Sequence, residues 1–468
     1  MVATRFLNRR NLFAFAVVAI NCFWFFALYP ARMGADAVGL LQTIRSGQST
    51  DWWSGAFYWL FRVTSINGAH IGLTALFQLA AIFFCMIYFF RSLPLSQKIQ
   101  NISMVIFFLL PIYGFFAMSI SHDLTQTAGI ILLVSIELRK MGNKKVNNLI
   151  AILLIASLFL LTTQTGIVLS LLAILRHAFY LRLKKSVVLS IVILAIFTCS
   201  NMGLTSGLNV HGNFIPSSQV KYWPFLAGIK CVAQHSDAEI SLLEWEVLLE
   251  ISSRENWKLP VSCQNYDTQI NTLKLYEKNY DFSDFEFLRT YVSIAGKNPA
   301  IVAMSHIQRA RGVLPPLLFQ PPDNQVSLDA SIPIGQRTNT ALQSGAVFLH
   351  PSIDIVNGES SKPRVFRVLE IPAQGLGFLF NQASWFWGWG GLWLTTGTIL
   401  LAKLISNQRI KRLIAVFYAP LAMHAILLFF IPTSVPRYYM YSIMTGIAIS
   451  LGYFVSKVID RGDRIANQ

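Results

Sequence analysis

The sequence predicts a polytopic α-helical membrane protein of about ten transmembrane helices, with one mixed periplasmic domain between spans seven and eight. The composition points to this class, because 54% of the 468 residues are hydrophobic and only 13% are charged. In soluble globular domains, roughly a quarter of the residues are charged. The apolar runs point the same way, since about 20 apolar residues cross a hydrocarbon core of about 30 Å.

Ten runs approach the length that a membrane span requires. They are Leu12–Tyr29, Ile71–Phe90, Ile102–Ile120, Leu124–Leu138, Leu149–Leu161, Gly166–Leu181, Val187–Ser200, Trp385–Ile405, Leu413–Ile431 and Tyr438–Ile459. No small-x-small cleavage pattern follows the first run, which ends in Ala27-Leu28-Tyr29-Pro30. We therefore interpret it as the first span and not as a cleaved signal peptide.

The distribution of Lys and Arg indicates the orientation. With a cytoplasmic N-terminus, the inner segments hold most of the cations, whereas the short outer loops hold few: Arg32, Arg45, Arg62 and Arg437. Cytoplasmic loops are enriched in Lys and Arg, so both termini are expected in the cytoplasm and the chain in a bacterial inner membrane. The formal charge of +16 reflects this bias and attraction to anionic membrane lipids, and it is no sign of nucleic-acid binding.

The spans divide the chain into three parts. Residues 1–200 form an N-terminal transmembrane module with a first outer loop at 30–69, residues 201–374 a periplasmic domain, and residues 375–468 the C-terminal transmembrane helices. In the outer domain, Ser236-x-x-Glu239 and Ser283-x-x-Glu286 fit helix capping boxes. Cys231 and Cys263 both fall in this domain, and an oxidising periplasm favours a disulfide between them. No His or Cys cluster has zinc spacing.

Three acidic residues lie just outside apolar runs on the predicted outer face. Asp36 follows the first span and precedes an apolar face at helical spacing, and Asp51 opens a second segment that starts with Trp52 and Trp53. Asp123 lies in the short loop between spans three and four. Each can serve as a helix cap or solvated loop residue, and each can serve as a catalytic base beside the bilayer.

Two further features lie on the predicted outer face. Arg437-Tyr438 lies between spans nine and ten, where the guanidinium can meet lipid phosphates or hold the phosphate of a lipid-linked substrate. Trp385 opens a tryptophan-rich stretch that fits an interfacial belt or a platform for stacking a sugar ring, and Trp52 and Trp53 are further stacking candidates.

This pattern resembles the GT-C superfamily of membrane glycosyltransferases, which use polyprenyl-phosphate sugars. The resemblance lies in Asp36 soon after the first span, interfacial segments in the first outer loop, Ser121-His122-Asp123 between spans three and four, and an outer domain late in the chain. It covers the membrane half and hardly touches the outer domain. It implies a GT-C-like fold, Asp36 at the catalytic position with Asp51 as substitute, Asp123 at the second acidic position, and Arg437-Tyr438 on the donor phosphate.

The resemblance also implies a metal-independent, inverting enzyme with no cofactor, whose substrate is a polyprenyl-phosphate sugar. The first loop lacks an Asp-Asp or Glu-Asp pair, and the Trp-Trp-Asp motif of oligosaccharyltransferases is absent, which argues against asparagine-linked transfer. The expected acceptor is an envelope glycan or lipid. Two alternatives remain: an O-antigen-type polymerase, which uses outer arginines on large loops, and a transporter or flippase for lipid-linked glycans.

Overall fold

The computed structural model describes most of the N-terminal half and parts of the rest. The described residues are 9–33, 35–47, 49–50, 53–141, 146, 148–163, 165–181, 183–205, 214–215, 222–261, 263, 269, 272–273, 284–310, 368–369, 371–373, 375–376, 390–404 and 440–466. The ninth apolar run, Leu413–Ile431, lies outside the described residues.

The membrane module alternates helices with two-residue strands. In chain order these are α1 (Arg9–Ala27), β1 (Arg32–Met33), α2 (Ala35–Arg45), β2 (Ser49–Thr50), α3 (Gly55–Thr64), α4 (Ile71–Ser92), α5 (Gln97–Leu109), α6 (Pro111–Ala117), β3 (Ser119–Ile120), α7 (His122–Met141), α8 (Leu149–Leu160), α9 (Gly166–Leu181) and α10 (Leu183–Thr205). Strand β4 (Phe214–Ile215) begins the domain that the sequence predicts on the outer face, for which the name outer domain is kept. Its described helices are α11 (Trp223–Ala233), α12 (Leu242–Ile251), α13 (Arg254–Lys258), α14 (Asp284–Lys297) and α15 (Pro299–Ala310). Two C-terminal helices follow, α16 (Gly390–Leu404) and α17 (Met440–Ala466).

Among the described residues, three helical segments are long and apolar enough to cross a bilayer: Ile71–Ser92, Lys184–Gly203 and Met440–Arg461. Shorter apolar helices accompany them, at Leu12–Ala27, Leu149–Leu160, Gly166–His177 and Leu392–Leu404. Buried residues of the membrane module and of the C-terminal helices form one continuous hydrophobic core. The chain thus has the helical architecture expected of a membrane protein.

The predicted third span, Ile102–Ile120, is not one continuous helix. The chain forms two helices there, α5 and α6, which are bent by 68° relative to each other, and then strand β3. The bend falls at Leu110, whose backbone is extended (φ −64°, ψ 131°) because the ring of Pro111 disfavours a helical residue before it. Pro111 itself is well placed at the start of α6, where no backbone N–H is needed.

Two short parallel strand pairs fix the first outer loop. β1 pairs with β3 in the register Arg32↔Ser119 and Met33↔Ile120. β2 pairs with β4 in the register Ser49↔Phe214 and Thr50↔Ile215, which connects the same loop to the outer domain. The loop between α1 and α4 is therefore held at both of its strands.

The described part of the outer domain is helical apart from β4, and it has its own hydrophobic core around Trp257 and Leu248. A mixed fold was expected, and residues 311–367 of this domain lie outside the described residues. The capping box predicted at Ser236 and Glu239 is wrong. It forms instead at Ser241 and Glu244, at the start of α12.

One stretch of α11 holds the segment that follows α13. Lys230 is buried and its ammonium donates to the backbone carbonyls of Trp257 and Leu259. The side chain of Gln234 pairs with both backbone groups of Val261, at 3.0 and 2.9 Å. Cys231 is joined to Cys263 by a disulfide, the pairing favoured by the sequence.

Candidate functional site

The register between β1 and β3 brings two of the predicted acidic positions to neighbouring places. Met33 pairs with Ile120, and each strand then leads into a helix through one connecting residue. Asp36 is three residues beyond Met33, and Asp123 is three residues beyond Ile120. Each is therefore the second residue of its helix, α2 or α7, and the two helices start from one strand pair. Both residues are in the first turn of a helix, where the positive end of the helix dipole favours a carboxylate.

Asp123 is held firmly by its sequence neighbours. Its side chain is 2% exposed. The hydroxyl of Ser121 donates to Oδ2 of Asp123 at 3.0 Å and accepts from the backbone N–H of Asp123 at 3.0 Å. The Nε2 atom of His122 lies 3.3 Å from the other carboxylate oxygen. Ser121 therefore caps the start of α7 through the backbone N–H of Asp123, and the carboxylate of Asp123 contacts the hydroxyl of Ser121 and the imidazole of His122.

A buried glutamine of α4 fixes the segment that carries Asp123. Nε2 of Gln78 donates to the backbone oxygen of Ser121 and to the hydroxyl of Thr125, both at 2.7 Å. Its Oε1 accepts from the backbone N–H of Ser121 at 3.3 Å. Both backbone groups of Ser121 are thus satisfied by one side chain, which ties the start of α7 to the middle of the bundle.

His122 is the most accessible member of this group, with 21% of its side chain exposed. Its ring packs edge-on against Phe57 of α3, with centroids 5.5 Å apart. The hydroxyl of Thr162, in the turn after α8, lies 3.2 Å from the backbone oxygen of His122. The aromatic segment of the first outer loop and the threonine-rich outer turn thus meet at the start of α7.

Helix α3 is set in place by its contact with the end of α10. The backbone N–H of Gly55 donates to the side-chain oxygen of Asn201 at 2.9 Å, and the indole of Trp59 donates to the backbone oxygen of Ser200 at 3.1 Å. A Cβ atom on Gly55 would lie 2.3 Å from that same oxygen, so only glycine permits this approach. The position of Phe57 beside His122 depends on this contact.

A buried arginine lies in the strand next to Asp123. Arg32 is 0% exposed, and its guanidinium carbon lies 4.6 Å from the centroid of the Phe115 ring. Its backbone N–H donates to the carbonyl of Met118 at 2.9 Å, which extends the pairing of β1 with β3. A buried cation therefore lies on β1, the strand that leads to Asp36.

The tryptophan predicted beside Asp51 is buried. Trp53 is 8% exposed, and its six-membered ring packs over Gly39 of α2. The other predicted site residues, Asp51, Trp52, Trp385, Arg437 and Tyr438, lie outside the described residues. The structure therefore pairs the strands that precede Asp36 and Asp123, and the predicted phosphate-binding residues Arg437 and Tyr438 stay a prediction.

A second buried charge cluster lies at the other end of α7. Glu137 contacts Arg176 at 2.6 Å and His177 at 3.4 Å, and Lys140 lies 2.7 Å from the second ring nitrogen of His177. Glu137 is fourteen residues beyond Asp123, or about 21 Å along the helix axis. This cluster is therefore separate from the Asp123 site.

Sequence reasoning missed His122, Gln78 and Arg32 as parts of this site. Gln78 carried a usable signal, because an amide in the middle of an apolar span needs a partner inside the bundle. His122 was noted only as part of the short outer loop, and Arg32 only as an outer-loop cation. Nothing in the sequence indicated that these residues pack around one strand pair.

Comparison of the chain with protein-family models, with curated proteins and with solved structures finds no match.

Proposed function

We propose that the protein is a membrane glycosyltransferase of GT-C type, which moves a sugar from a polyprenyl-phosphate donor to an envelope glycan or lipid on the outer face of the inner membrane. The observation that supports this most is the β1–β3 register, since it is consistent with two acidic residues acting at one end of a membrane bundle. A lipid-borne donor requires such a location, because its anomeric carbon stays close to the headgroup region.

Asp36 is the general base of the proposed reaction. It takes the proton from the acceptor hydroxyl as that oxygen attacks the anomeric carbon. A new C–O bond forms on the opposite face, the bond between the anomeric carbon and the phosphate oxygen breaks, and polyprenyl phosphate leaves with the electron pair. The configuration at the anomeric carbon is inverted. Asp51 is the alternative candidate for the base, in place of Asp36.

Asp123 has a supporting part in this mechanism. Both of its carboxylate oxygens are engaged, one by Ser121 and one near His122. A carboxylate placed in this way can hold an imidazole in a fixed orientation. His122 then donates a hydrogen bond to the departing phosphate, as do Arg437 and Tyr438. These three side chains offset the negative charge that develops on the phosphate.

The test is turnover by the purified, full-length protein. It is incubated in detergent or in vesicles with a panel of polyprenyl-phosphate sugars and an envelope glycan or lipid fraction, and each donor is quantified by mass spectrometry. The proposal expects consumption of one donor and release of polyprenyl phosphate. If the protein binds these lipids and moves them across vesicles with their sugars intact, a transporter function replaces the proposal.

A further inference from the structure

Two buried N–H donors without hydrogen-bond partners lie one helical turn beyond the two acidic positions. Gln126, in α7, is 4% exposed and its Nε2 atom makes no hydrogen bond. Trp53, packed on Gly39 of α2, is 8% exposed and its Nε1 atom makes no hydrogen bond either. A buried donor that lacks a partner destabilises the folded state, so most buried donors in native proteins are satisfied.

The place of Gln126 on α7 sets it apart from a packing defect. Residues three and four apart share a helix face, so Gln126 lies on the face that carries Asp123 and His122. Thr125, one position earlier, points about 100° away from Gln126 around the helix axis, and its hydroxyl accepts from Gln78 of α4. The amide of Gln126 therefore belongs to the side of α7 that presents the carboxylate and the imidazole.

Trp53 packs on the corresponding position of α2. Gly39 is three residues beyond Asp36, just as Gln126 is three beyond Asp123, and α2 and α7 follow the paired strands β1 and β3 with one residue between strand and helix. The indole atoms nearest Gly39 include Cζ2, on the same edge of the ring as Nε1. Unpartnered hydroxyls occur elsewhere in the described bundle, on Ser103 and Ser157, but a hydroxyl can rotate whereas an amide or indole N–H cannot leave its plane.

From this arrangement we infer that Gln126 and Trp53 are the residues that recognise the sugar, each donating a hydrogen bond to a hydroxyl or ring oxygen of the donor headgroup. The inference rests on the proposed function and adds the part of the substrate that is recognised. Both donors are neutral, which suits sugar oxygens, whereas the phosphate is better matched by cations. A site with fixed donors also discriminates strongly against analogues that lack the matching oxygen.

The experiment compares Gln126→Met with wild type in the purified full-length protein. The probes are the polyprenyl-phosphate sugar that wild type consumes, its monodeoxy analogues, and polyprenyl phosphate without a sugar. The variant should raise KM for the sugar donor about tenfold and lose discrimination against one deoxy analogue, because one neutral hydrogen bond is removed. Inhibition by the sugar-free lipid should not change, and the melting midpoint should be equal to wild type or higher.

Two further variants keep the test decisive. Gln100→Met is the matched control, because Gln100 is also buried but donates to the carbonyls of Leu93 and Leu95, so it should lower the melting midpoint without changing KM. Trp53→Phe keeps the ring, removes its donor and should weaken sugar binding as Gln126→Met does.

Each other outcome overturns the inference in a recognisable way. Unchanged KM and unchanged discrimination in both variants, with active wild type, overturn it and leave the proposed function standing. A parallel loss of affinity for the sugar-free lipid would reassign the donors to the phosphate. Wild type that consumes no lipid-linked sugar overturns the proposed function and this inference together.

Discussion

Gln78 holds Ser121 from both sides, since its amide donates to the backbone oxygen and its carbonyl accepts from the backbone N–H of the same residue. This contact links the middle of α4 to the start of α7, and through Ser121 it supports the carboxylate of Asp123. The side chain of Gln78 thus helps to fix the start of α7, which carries Asp123.

Gln78→Met should therefore destabilise the protein and lower its activity. The substitution removes the hydrogen bonds that Gln78 makes to the backbone N–H and C=O of Ser121, and the expected loss of unfolding free energy is about 2 kcal/mol. Chemical unfolding in detergent, followed by circular dichroism, measures this loss. Stability equal to wild type would mean that water or another group replaces the amide.

The two acidic positions should differ in what their loss does. Asp36→Asn is expected to leave expression, membrane insertion and melting midpoint unchanged and to lower transfer by about 10²–10⁴-fold, the contribution of a positioned base. Asp123→Asn should lower both stability and transfer, because it weakens contacts to Ser121 and His122. Asp51→Asn is the matched control, with near-normal transfer. Full activity in Asp36→Asn would remove Asp36 from the mechanism.

Much of the helical framework could be predicted from hydropathy, but the strand pairs could not. β1 and β3 are two residues each, too short for any alternating pattern, and their pairing depends on the packing of distant helices. The bend at Leu110 had a visible cause in Pro111, yet the run from Ile102 to Ile120 is apolar throughout and hid the break. Hydropathy shows how long an apolar segment is, and it does not show where the helix axis changes direction.

The capping boxes also show that tertiary contacts decide between sites that match the same local sequence pattern. Ser236-x-x-Glu239 and Ser241-x-x-Glu244 both satisfy the pattern, so local sequence could not choose between them. Glu244 is selected because Ser293 and Lys297, on a distant helix, also donate to its carboxylate. The backbone of Glu239 is instead paired with the side chain of Asn298.

The outer domain should lose stability in acid through Glu244. Burial works to raise the pKa of this carboxyl, but hydrogen bonds from Lys297, Ser293 and Ser241 outweigh it and lower the pKa from 4.5 to about 2. A group with a depressed folded-state pKa stabilises above its unfolded pKa, and that stability is lost as the pH falls from about 4.5 to about 2.

Glu244→Gln tests this pH dependence. The variant should be less stable than wild type at pH 7 by about 1–3 kcal/mol, and the difference should shrink toward zero near pH 2. Unfolding by denaturant, followed by tryptophan fluorescence across this pH range, gives the comparison. Glu246→Gln, at an exposed position of the same helix, should match wild type throughout. A difference that stays constant with pH would contradict the assignment.

Lys230 should give the opposite trend at high pH. Burial lowers its pKa from 10.5 to about 8, so the folded domain binds this proton less readily than the unfolded chain does. The domain should therefore gain stability as the pH rises from about 8 to about 10.5. Lys230→Met, which removes the buried charge, should flatten this rise in a denaturation series over the same range. An equally steep rise in the variant would assign the effect to another group.

The close crossing of α16 and α17 should depend on glycine at position 446. A Cβ atom there would lie 2.2 Å from the backbone oxygen of Trp393, and neither backbone can move away without separating the helices. Gly446→Ala should lower the melting midpoint in detergent and increase cleavage by trypsin. Gly452→Ala is the matched control on the same helix, because its Cβ would meet Cδ1 of Leu95 at 2.6 Å, the end of a flexible side chain that can rotate aside. Helix propensity alone would favour alanine at both positions, so equal losses in the two variants would show that the crossing at position 446 has no special demand for glycine.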